Sequence, residues 1–145
     1  MKIWTKPFNI DDMTESRTGT MASFLGIEFI EIGDDFVRAR MPVDERTKQP
    51  MGIMHGGASC VLAETVASVA AQYCVTPPDE KLCVGLEINT SHVKMANTDW
   101  VLATAKAVHI GQSTQLWEIE IHNEKNQLVS LSRLRLAVLN KKAEG

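Results

Sequence analysis

The chain has 145 residues, of which 44% are apolar and 23% are charged, and these proportions are ordinary for a globular protein. The length suffices for one domain with one core, so we predict a single domain over residues 1–145. The formal net charge of −3 gives no electrostatic reason to expect a nucleic acid or an anionic membrane as a partner.

The first part of the chain predicts a short helix and a β-hairpin. Residues 9–15 have helical character, with Asn9 placed to cap the helix. Residues 27–32 and 36–41 alternate between apolar and polar side chains on either side of Gly33-Asp34-Asp35, which predicts two paired strands with a turn between them. Residues 42–50 are polar and predict a loop.

A long apolar helix is predicted next, from about Gly57 to Tyr73 or Cys74, and Pro77 and Pro78 end it. Small residues fill most of its other positions, so we expect nearly every side of it to be buried. The predicted core positions recur at helical spacing and are Ala58, Val61, Leu62, Thr65, Val66 and Val69.

Period-two alternation predicts four further strands, over residues 81–94, 100–108, 114–122 and 128–139, with a turn at 123–126. We expect strands that follow each other closely to pair antiparallel. A helix that is buried on nearly all sides needs a sheet that curves around it. The sequence therefore predicts an α+β protein with one long buried helix wrapped by a curved antiparallel sheet, the architecture called the hotdog fold.

With histidine counted as neutral, Glu64 is the only charged residue between Gly52 and Pro78. Burial of an unpaired carboxylate costs several kcal/mol, and the segment has no Lys or Arg to pair with it. Glu64 is therefore either satisfied by a group from elsewhere in the protein, or a working acid or base held in an apolar wall.

His55, Gly56 and Gly57 stand directly before this helix. Glycine lets the backbone approach a ligand closely, and the first N–H groups of a helix have no acceptor within it. Such groups suit a carbonyl oxygen that gains negative charge during acyl transfer, while a carboxylate suits activation of water or direct attack on the acyl carbon. The alternative is that the glycines only permit tight packing of the helix on a strand.

The spacing of Gly56 and Glu64 favours a site that two chains share. The two residues are eight positions apart, about 12 Å along a helix axis, whereas two groups acting on one carbonyl should each lie about 3 Å from it. Antiparallel central helices of two chains could bring Glu64 of one chain to Gly56 of the other. We therefore predict a symmetric homodimer with two shared sites.

Motifs for cofactors and metals are missing from the sequence. It contains no Gly-x-Gly-x-x-Gly and no phosphate-binding loop, and its four histidines lack any short metal-binding spacing. We therefore expect no cofactor and no metal.

The three cysteines, Cys60, Cys74 and Cys83, form no Cys-x-x-Cys motif, which indicates reduced thiols and a cytoplasmic protein. Cys60 and Cys74 are expected to be small core residues. No apolar run has the length of a signal peptide core or a membrane span, so we expect neither.

The chain resembles bacterial hotdog-fold acyl-CoA thioesterases in three stretches, MPVDERTKQPMGIMHGGASCVLAET, CVGLEINTSHVKMA and HIGQSTQLWEIEI. The resemblance is to the branch that includes the Arthrobacter-type 4-hydroxybenzoyl-CoA thioesterase, the phenylacetate-pathway thioesterases and 1,4-dihydroxy-2-naphthoyl-CoA hydrolase. It covers nearly the whole chain and is strongest from Met41 to His92.

The resemblance implies hydrolysis of an acyl-CoA thioester, with an aromatic acyl group, without metal or cofactor. It implies that Glu64 is the catalytic base or nucleophile and that the Gly56 N–H polarises the thioester carbonyl. It further implies that His55 shapes the turn, that Gln49 contacts the reacting thioester and that Ser68 lines the acyl or water site.

The resemblance also implies that coenzyme A lies across a subunit interface, in a dimer of dimers, with Lys94 as the partner of a phosphate. Relatives often carry Lys or Arg near Gln112 and Ser113, and this chain carries none there, so Arg133 or Arg135 could supply those contacts. The implied contact residues are Gly85, His92, Val93, Lys94, Met95, His109, Ile110, Gly111, Gln112, Ser113 and Thr114.

Two other functions stay open at the level of sequence. One is a proofreading thioesterase that releases misloaded acyl groups from a carrier protein by the same chemistry. The other is a domain that binds acyl-CoA without turnover. Glu64 argues against the second, because a binding protein gains nothing from a buried unpaired acid.

Overall fold

The computed structural model describes residues 1–142, so residues 143–145 of the predicted domain lie outside the described residues. Helices and strands follow one another in the order α1 (Ile10–Glu15), α2 (Met21–Phe24), β1 (Glu28–Ile32), β2 (Phe36–Pro42), α3 (Gly56–Gln72), β3 (Lys81–His92), β4 (Trp100–Ile110), β5 (Thr114–Asn123) and β6 (Leu128–Asn140).

The six strands form one antiparallel sheet in the order β1-β2-β4-β5-β6-β3. α3 packs against β2, β3, β4, β5 and β6. The prediction of an α+β fold, with one long helix wrapped by an antiparallel sheet, is confirmed.

The prediction that consecutive strands pair is wrong for β3 and β4. β3 pairs with β6 at the edge of the sheet, and β4 lies between β2 and β5. The connection over residues 93–99 has its own hydrogen-bond partners instead of a tight turn. The N–H groups of Val93 and Lys94 donate to the Val129 carbonyl at 2.8 and 3.1 Å, and the Ala96 carbonyl accepts from Met54 at 2.9 Å. These bonds hold the connection in place as the chain passes from β3, at one edge of the sheet, to β4, between β2 and β5.

The core lies between α3 and the inner face of the sheet, where alternate residues of each strand point. Trp117 and Leu134 are fully buried there, and burial of a side chain of this size stabilises the fold by about 1.5–3 kcal/mol. Gln115 is buried too, and its amide links β5 to the helix. Its Oε1 accepts from Trp117 Nε1 at 2.8 Å, and its Nε2 donates to the Ala71 carbonyl at 3.3 Å, so this buried amide is satisfied.

α3 begins one residue before its predicted start and ends at Gln72. The prediction that nearly every side of it is buried is wrong, because one stripe of the helix stays open. Small residues such as Ala, Ser, Cys and Gly differ little in hydrophobicity, so the sequence did not distinguish the open face of the helix from its buried face. Of the predicted core positions, Ala58, Leu62, Val66 and Val69 are buried, whereas the open stripe contains exposed Glu64 and half-buried Cys60, Val61, Thr65 and Ser68.

The predicted N-terminal helix is confirmed as α1. Asn9 Oδ1 accepts from the Asp12 N–H, and Asp12 Oδ2 accepts from the Asn9 N–H, both at 2.9 Å, which is a capping box. The four residues of α2 were not predicted, because so short a helix shows no readable periodicity. No helix within residues 1–142 is both long and apolar enough to cross a membrane.

Candidate active site

The N-terminus of α3 opens into a cavity of about 280 Å³, which we call the N-terminal cavity. His55 caps the helix, and its Nδ1 accepts from the Gly57 N–H at 2.8 Å. The Gly56 N–H is one of the first donors of the helix, which have no acceptor within it. A Cβ at Gly56 would lie 3.0 Å from His92 Nε2, so the absence of a side chain keeps this donor accessible. The cavity is lined by Gln49, Ile53, Met54, Gly56, Ser59, His92, Val93, Lys94, Met95, Ala96 and Val129.

Gln49 reaches this cavity from a well-ordered turn. Its N–H donates to the Ile53 carbonyl and its carbonyl accepts from the Gly52 N–H, both at 2.9 Å. Its side-chain Oε1 accepts from the Met51 N–H at 2.5 Å, which leaves the amide NH₂ as the donor available to a ligand. The structure therefore brings together four predicted groups of the site, namely Gln49, His55, Gly56 and the stretch His92–Met95.

Glu64 lines a different cavity, of about 340 Å³, which we call the mid-helix cavity. Glu64 Oε1 lies 2.8 Å from the position that a Cβ of Gly85 would occupy. Gly85 faces inward opposite the buried Leu136, so the missing side chain leaves room for the carboxylate. The cavity is lined by Arg17, Thr20, Met21, Ala22, Val61, Glu64, Thr65 and Ser68.

Glu64 forms no ion pair within residues 1–142, and its side chain is exposed. The expectation of a carboxylate buried in an apolar wall is therefore wrong for the single chain, because the open stripe of α3 presents it to solvent. Pairing with a basic group of the described chain, the other alternative, does not occur either. The carboxylate remains available as a base or a nucleophile.

The β4–β5 hairpin, with the predicted contacts His109–Thr114, lies apart from both cavities. The Gly111 N–H donates to the Thr114 carbonyl at 2.9 Å, and the Ser113 carbonyl accepts from the Val138 N–H at 2.9 Å. The hairpin tip thus lies near Val138 on β6, whereas His92 pairs with Ser130 of the same strand. Seven to eight residues of strand separate them by about 25 Å. One chain therefore does not bring the two predicted coenzyme A segments together.

Two basic residues near the cavities were missed by sequence reasoning. Lys125 shares a cavity of about 350 Å³ with Lys94 and Met95, which also line the N-terminal cavity. Lys125 lies in a hairpin turn, where a charged residue is normally a solvated one, so its sequence context carried no signal. Arg17 lies between α1 and α2 and lines the mid-helix cavity.

The suggestion that Arg133 or Arg135 supplies phosphate contacts is not supported by their surroundings. Both lie on the outer face of the sheet, because strand alternation places them opposite the buried Leu134. Arg133 pairs with Glu118 at 3.4 Å and Arg135 pairs with Glu87 at 3.6 Å.

The three cysteines differ in their surroundings. Cys60 is half-buried, and its Sγ lies 3.4 Å from Thr90 Oγ1. Burial raises the pKa of the Cys74 thiol to about 12 and that of Cys83 to about 11, so both stay protonated at neutral pH. Among the described residues, no group of three or more His, Cys, Asp or Glu side chains could hold a metal ion, and metal independence stays a prediction.

Comparison with known proteins decides the family. Residues 51–130 match the family model described as Thioesterase superfamily. The chain belongs to the thioesterase superfamily. It is 47% identical over 137 residues to 1,4-dihydroxy-2-naphthoyl-CoA hydrolase of Escherichia coli, a match that covers 94% of this chain and 99% of the relative. The predicted resemblance is thereby confirmed.

Other relatives of this thioesterase superfamily member agree in fold and activity class. A proofreading thioesterase from Cronobacter turicensis is 39% identical over 137 residues, which are 94% of this chain and 98% of the relative. The crystal structure of a thioesterase from Haemophilus influenzae superimposes with a TM-score of 0.94 at 39% identity and covers 98% of both chains. The protein is a thioester hydrolase with the hotdog fold, which sets aside the alternative of a binding domain without turnover.

Proposed function

We propose that the protein hydrolyses an aromatic acyl-CoA thioester to the free acid and CoA. The observation that carries this proposal is the unpaired carboxylate of Glu64, which lies against the open backbone at Gly85 in a member of a thioesterase family. The Escherichia coli relative is named for a bicyclic aromatic acyl-CoA, which supports the aromatic class. A cavity of about 340 Å³ at Glu64 has the volume of a small-ligand site.

The proposed chemistry divides into polarisation and attack. The Gly56 N–H donates to the thioester carbonyl oxygen and stabilises the negative charge that develops there. Glu64 either takes a proton from the attacking water or attacks the acyl carbon itself. The C–S bond then breaks and CoA leaves as the thiolate. Where water attacks, the free acid is formed directly; where Glu64 attacks, a mixed anhydride remains, and water hydrolyses it to the free acid and the Glu64 carboxylate. Gln49 and His92 border the oxyanion position, and Ser68 borders the acyl position.

The two halves of this machinery lie in different cavities of one chain, so we infer that the working form is a homodimer. β3 is a 12-residue strand at the edge of the sheet, and it exposes apolar Val84 and Leu86 to 44% and 54%. An unpaired, long and apolar edge is a template for pairing with another strand. Antiparallel pairing of β3 with its copy fits a two-fold axis.

Such pairing inverts the two chains relative to each other. The Gly85 end of one β3 then meets the His92 end of the other, which brings Glu64 of one chain towards Gly56 of the other. It also brings the His109–Thr114 hairpin of one chain towards the His92–Met95 stretch of the other. The coenzyme A contacts that one chain separates thus converge across the interface. A dimer of dimers stays a further expectation.

Lys94 and Lys125 are the proposed partners of the CoA phosphates. They line one cavity beside the N-terminal cavity, and no Asp or Glu of the described chain lines it with them. Within residues 1–142 neither lysine forms an ion pair. Two unpaired ammonium groups attract the phosphates of an anionic ligand, even though the chain as a whole is acidic.

The second candidate function is proofreading of a carrier protein, which the Cronobacter relatives favour by name. The chemistry at Glu64 and Gly56 is the same in both cases. The cavity lined by Lys94 and Lys125, which we call the lysine cavity, favours free CoA, because the carrier-bound phosphopantetheine arm lacks the adenosine phosphates. Hydrolysis of the same acyl group from CoA and from a carrier protein, compared by kcat/KM, separates the two functions.

The decisive experiment replaces Glu64 by Gln, which keeps the shape and removes the charge. Thiol release from aromatic and aliphatic acyl-CoAs should fall at least about a hundredfold in turnover, while substrate binding survives. Glu87→Gln is the matched control, because Glu87 lies on β3 but pairs outward with Arg135.

Dialysis against EDTA should leave wild-type turnover unchanged.

Two results would contradict the proposal. One is near-full turnover by a folded Glu64→Gln variant. The other is activity that chelation removes and a divalent ion restores.

A further inference from the structure

Within residues 1–142, Arg17 is the one basic residue that lines the mid-helix cavity, and the proposed hydrolysis gives it no role. Arg17 is half-buried, although its neighbours Ser16 and Thr18 are exposed. Its backbone is held between the two N-terminal helices, because its N–H donates to the Thr14 carbonyl and its own carbonyl accepts from the Thr20 N–H, both at 3.1 Å. The segment therefore holds the backbone of Arg17 in place at the cavity wall.

The guanidinium of Arg17 lacks partners in the described part of the chain. Its Nε is buried without a hydrogen-bond partner. No carboxylate of residues 1–142 lies within ion-pair distance of it, and that includes Glu64, which lines the same cavity. A buried donor without an acceptor is unfavourable, and a ligand oxygen would remove that penalty.

Glu64 and Arg17 therefore line the same cavity without forming an ion pair with each other. Among the described residues that line it, Glu64 is the one acidic residue and Arg17 the one basic residue, and the others are apolar or carry a hydroxyl group. A ligand that matches this pattern places its reacting carbonyl carbon beside the carboxylate and an oxygen beside the guanidinium. Guanidinium is permanently charged and planar; it can bind a carboxylate with two N–H groups, and it can also donate a hydrogen bond to a hydroxyl oxygen.

We propose that Arg17 binds an oxygen substituent of the acyl group, so that the enzyme selects aromatic acyl groups with a carboxylate or hydroxyl on the ring. This specificity role rests on the proposed hydrolysis of aromatic acyl-CoAs. Arg17 does not touch the reacting atoms. It holds the far side of the acyl group while Glu64 and the shared Gly56 N–H act on the thioester.

The test compares acyl groups that differ only in one ring substituent. Benzoyl-CoAs with a carboxylate, a hydroxyl or a methyl group at position 3 or 4 are hydrolysed by the wild type, by Arg17→Met and by Arg17→Lys. A charge-assisted hydrogen bond predicts that Arg17→Met lowers kcat/KM about tenfold to a hundredfold for the carboxylate or hydroxyl substrates. The methyl substrates should change less than about twofold. Arg17→Lys should restore part of the loss for the carboxylate substrate.

Lys94→Met provides the matched contrast. Lys94 lies in the N-terminal cavity, away from the acyl substituent, so its loss should weaken all of these acyl-CoAs by the same factor. Only Arg17 should change their ratio.

Several results would overturn the role of Arg17. A wild type that shows no preference for oxygen-bearing rings would do so, as would an Arg17→Met variant that loses activity equally on the methyl substrates. Weaker dimerisation of Arg17→Met by analytical ultracentrifugation, with unchanged substrate ratios, would place the guanidinium in the interface instead.

Failure of the hydrolysis proposal can be told apart from failure of this inference. If no acyl-CoA is hydrolysed, the function is wrong. The dissociation constants of the same acyl-CoAs with Glu64→Gln and with Glu64→Gln/Arg17→Met then test Arg17 alone. Equal affinities for carboxylate, hydroxyl and methyl rings would overturn the inference.

Discussion

The N-terminal cavity and the mid-helix cavity lie along the same helix and differ in the groups that they present. The first offers the Gly56 N–H, the Gln49 amide and Lys94, and no Asp or Glu of the described chain lines it. The second offers Glu64, hydroxyl groups and Arg17. Acyl transfer needs donors for the carbonyl oxygen and a base or nucleophile for the carbon, so each cavity presents one half of the requirement.

The two glycines at these cavities also have different tasks. Gly56 leaves a backbone donor uncovered, since a Cβ there would meet His92 at 3.0 Å. Gly85 leaves space for a side chain, since a Cβ there would meet Glu64 at 2.8 Å. Close approach is the common reason, but at Gly56 we propose that the substrate approaches, whereas at Gly85 the Glu64 carboxylate does.

Subunit complementation is the strongest test of this division. Glu64→Gln should be nearly inactive, and Gly56→Val should be nearly inactive if it folds, because the added side chain covers the backbone donor. In a mixed dimer one site carries both lesions and the other carries neither. Co-expression with two affinity tags and purification of the mixed species should therefore restore about half of the wild-type turnover per dimer.

The result that would refute the shared site is equally direct. If the mixed dimer is isolated and its turnover stays near that of the single variants, Glu64 and Gly56 act within one chain. Circular dichroism and thermal unfolding of Gly56→Val alone serve as the control for folding.

Gly85→Ala tests the position of Glu64 without removing the carboxylate. The added methyl group cannot occupy a point 2.8 Å from Glu64 Oε1, so the carboxylate has to move. Misplacement of a reacting group by about 1 Å costs up to a hundredfold in rate, and we expect kcat to fall at least about tenfold with KM little changed. Asn89→Ala, on the outward face of β3, is the control. Unchanged kcat in Gly85→Ala would mean that this position of Glu64 is not the working one.

The lysine cavity should affect binding instead of chemistry. Lys94→Ala and Lys125→Ala should each raise KM for an acyl-CoA about fivefold, because each removes a charge near the proposed phosphate position. The same acyl group on pantetheine, which lacks phosphates, should show no such change. Lys106→Ala, on the outer face of β4, serves as the matched control. Equal effects on both substrates would mean that the lysines support the fold and not the phosphates.

The sequence predicted the helix and strands well where periodicity was long, as in α3 and in the hairpin of β1 and β2. It did not predict the strand order, because pairing of β3 with β6 depends on contacts such as Val93 to Val129 that are distant in sequence. The separation of Gly56 from Glu64 followed from helix geometry alone. Arg17 and Lys125 could not be found, since only the folded chain places them at the cavities.

The contact between the C-terminal end of α3 and the start of β3, where Cys83 Sγ lies 3.6 Å from the Ala71 carbonyl oxygen, lies outside both cavities and can be compared with them. Burial raises the pKa of Cys74 to about 12 and of Cys83 to about 11, above the value of about 8.5 for an exposed thiol. The unfolded chain therefore loses these protons first as the pH rises. The stability that both thiols contribute is complete below about pH 8.5 and is lost progressively above it.

This linkage predicts a small effect on stability and none on turnover at neutral pH. Between pH 7.5 and pH 10 the free energy of unfolding, measured with urea, should fall less in a Cys74→Ala/Cys83→Ala variant than in the wild type. Cys60→Ser is the control, because Cys60 lies on the open stripe beside Thr90. An identical decline in all three proteins would mean that other groups cause the alkaline loss. Lower turnover of the double variant at pH 7.5, with folding intact, would mean that Cys74 or Cys83 also contributes to hydrolysis.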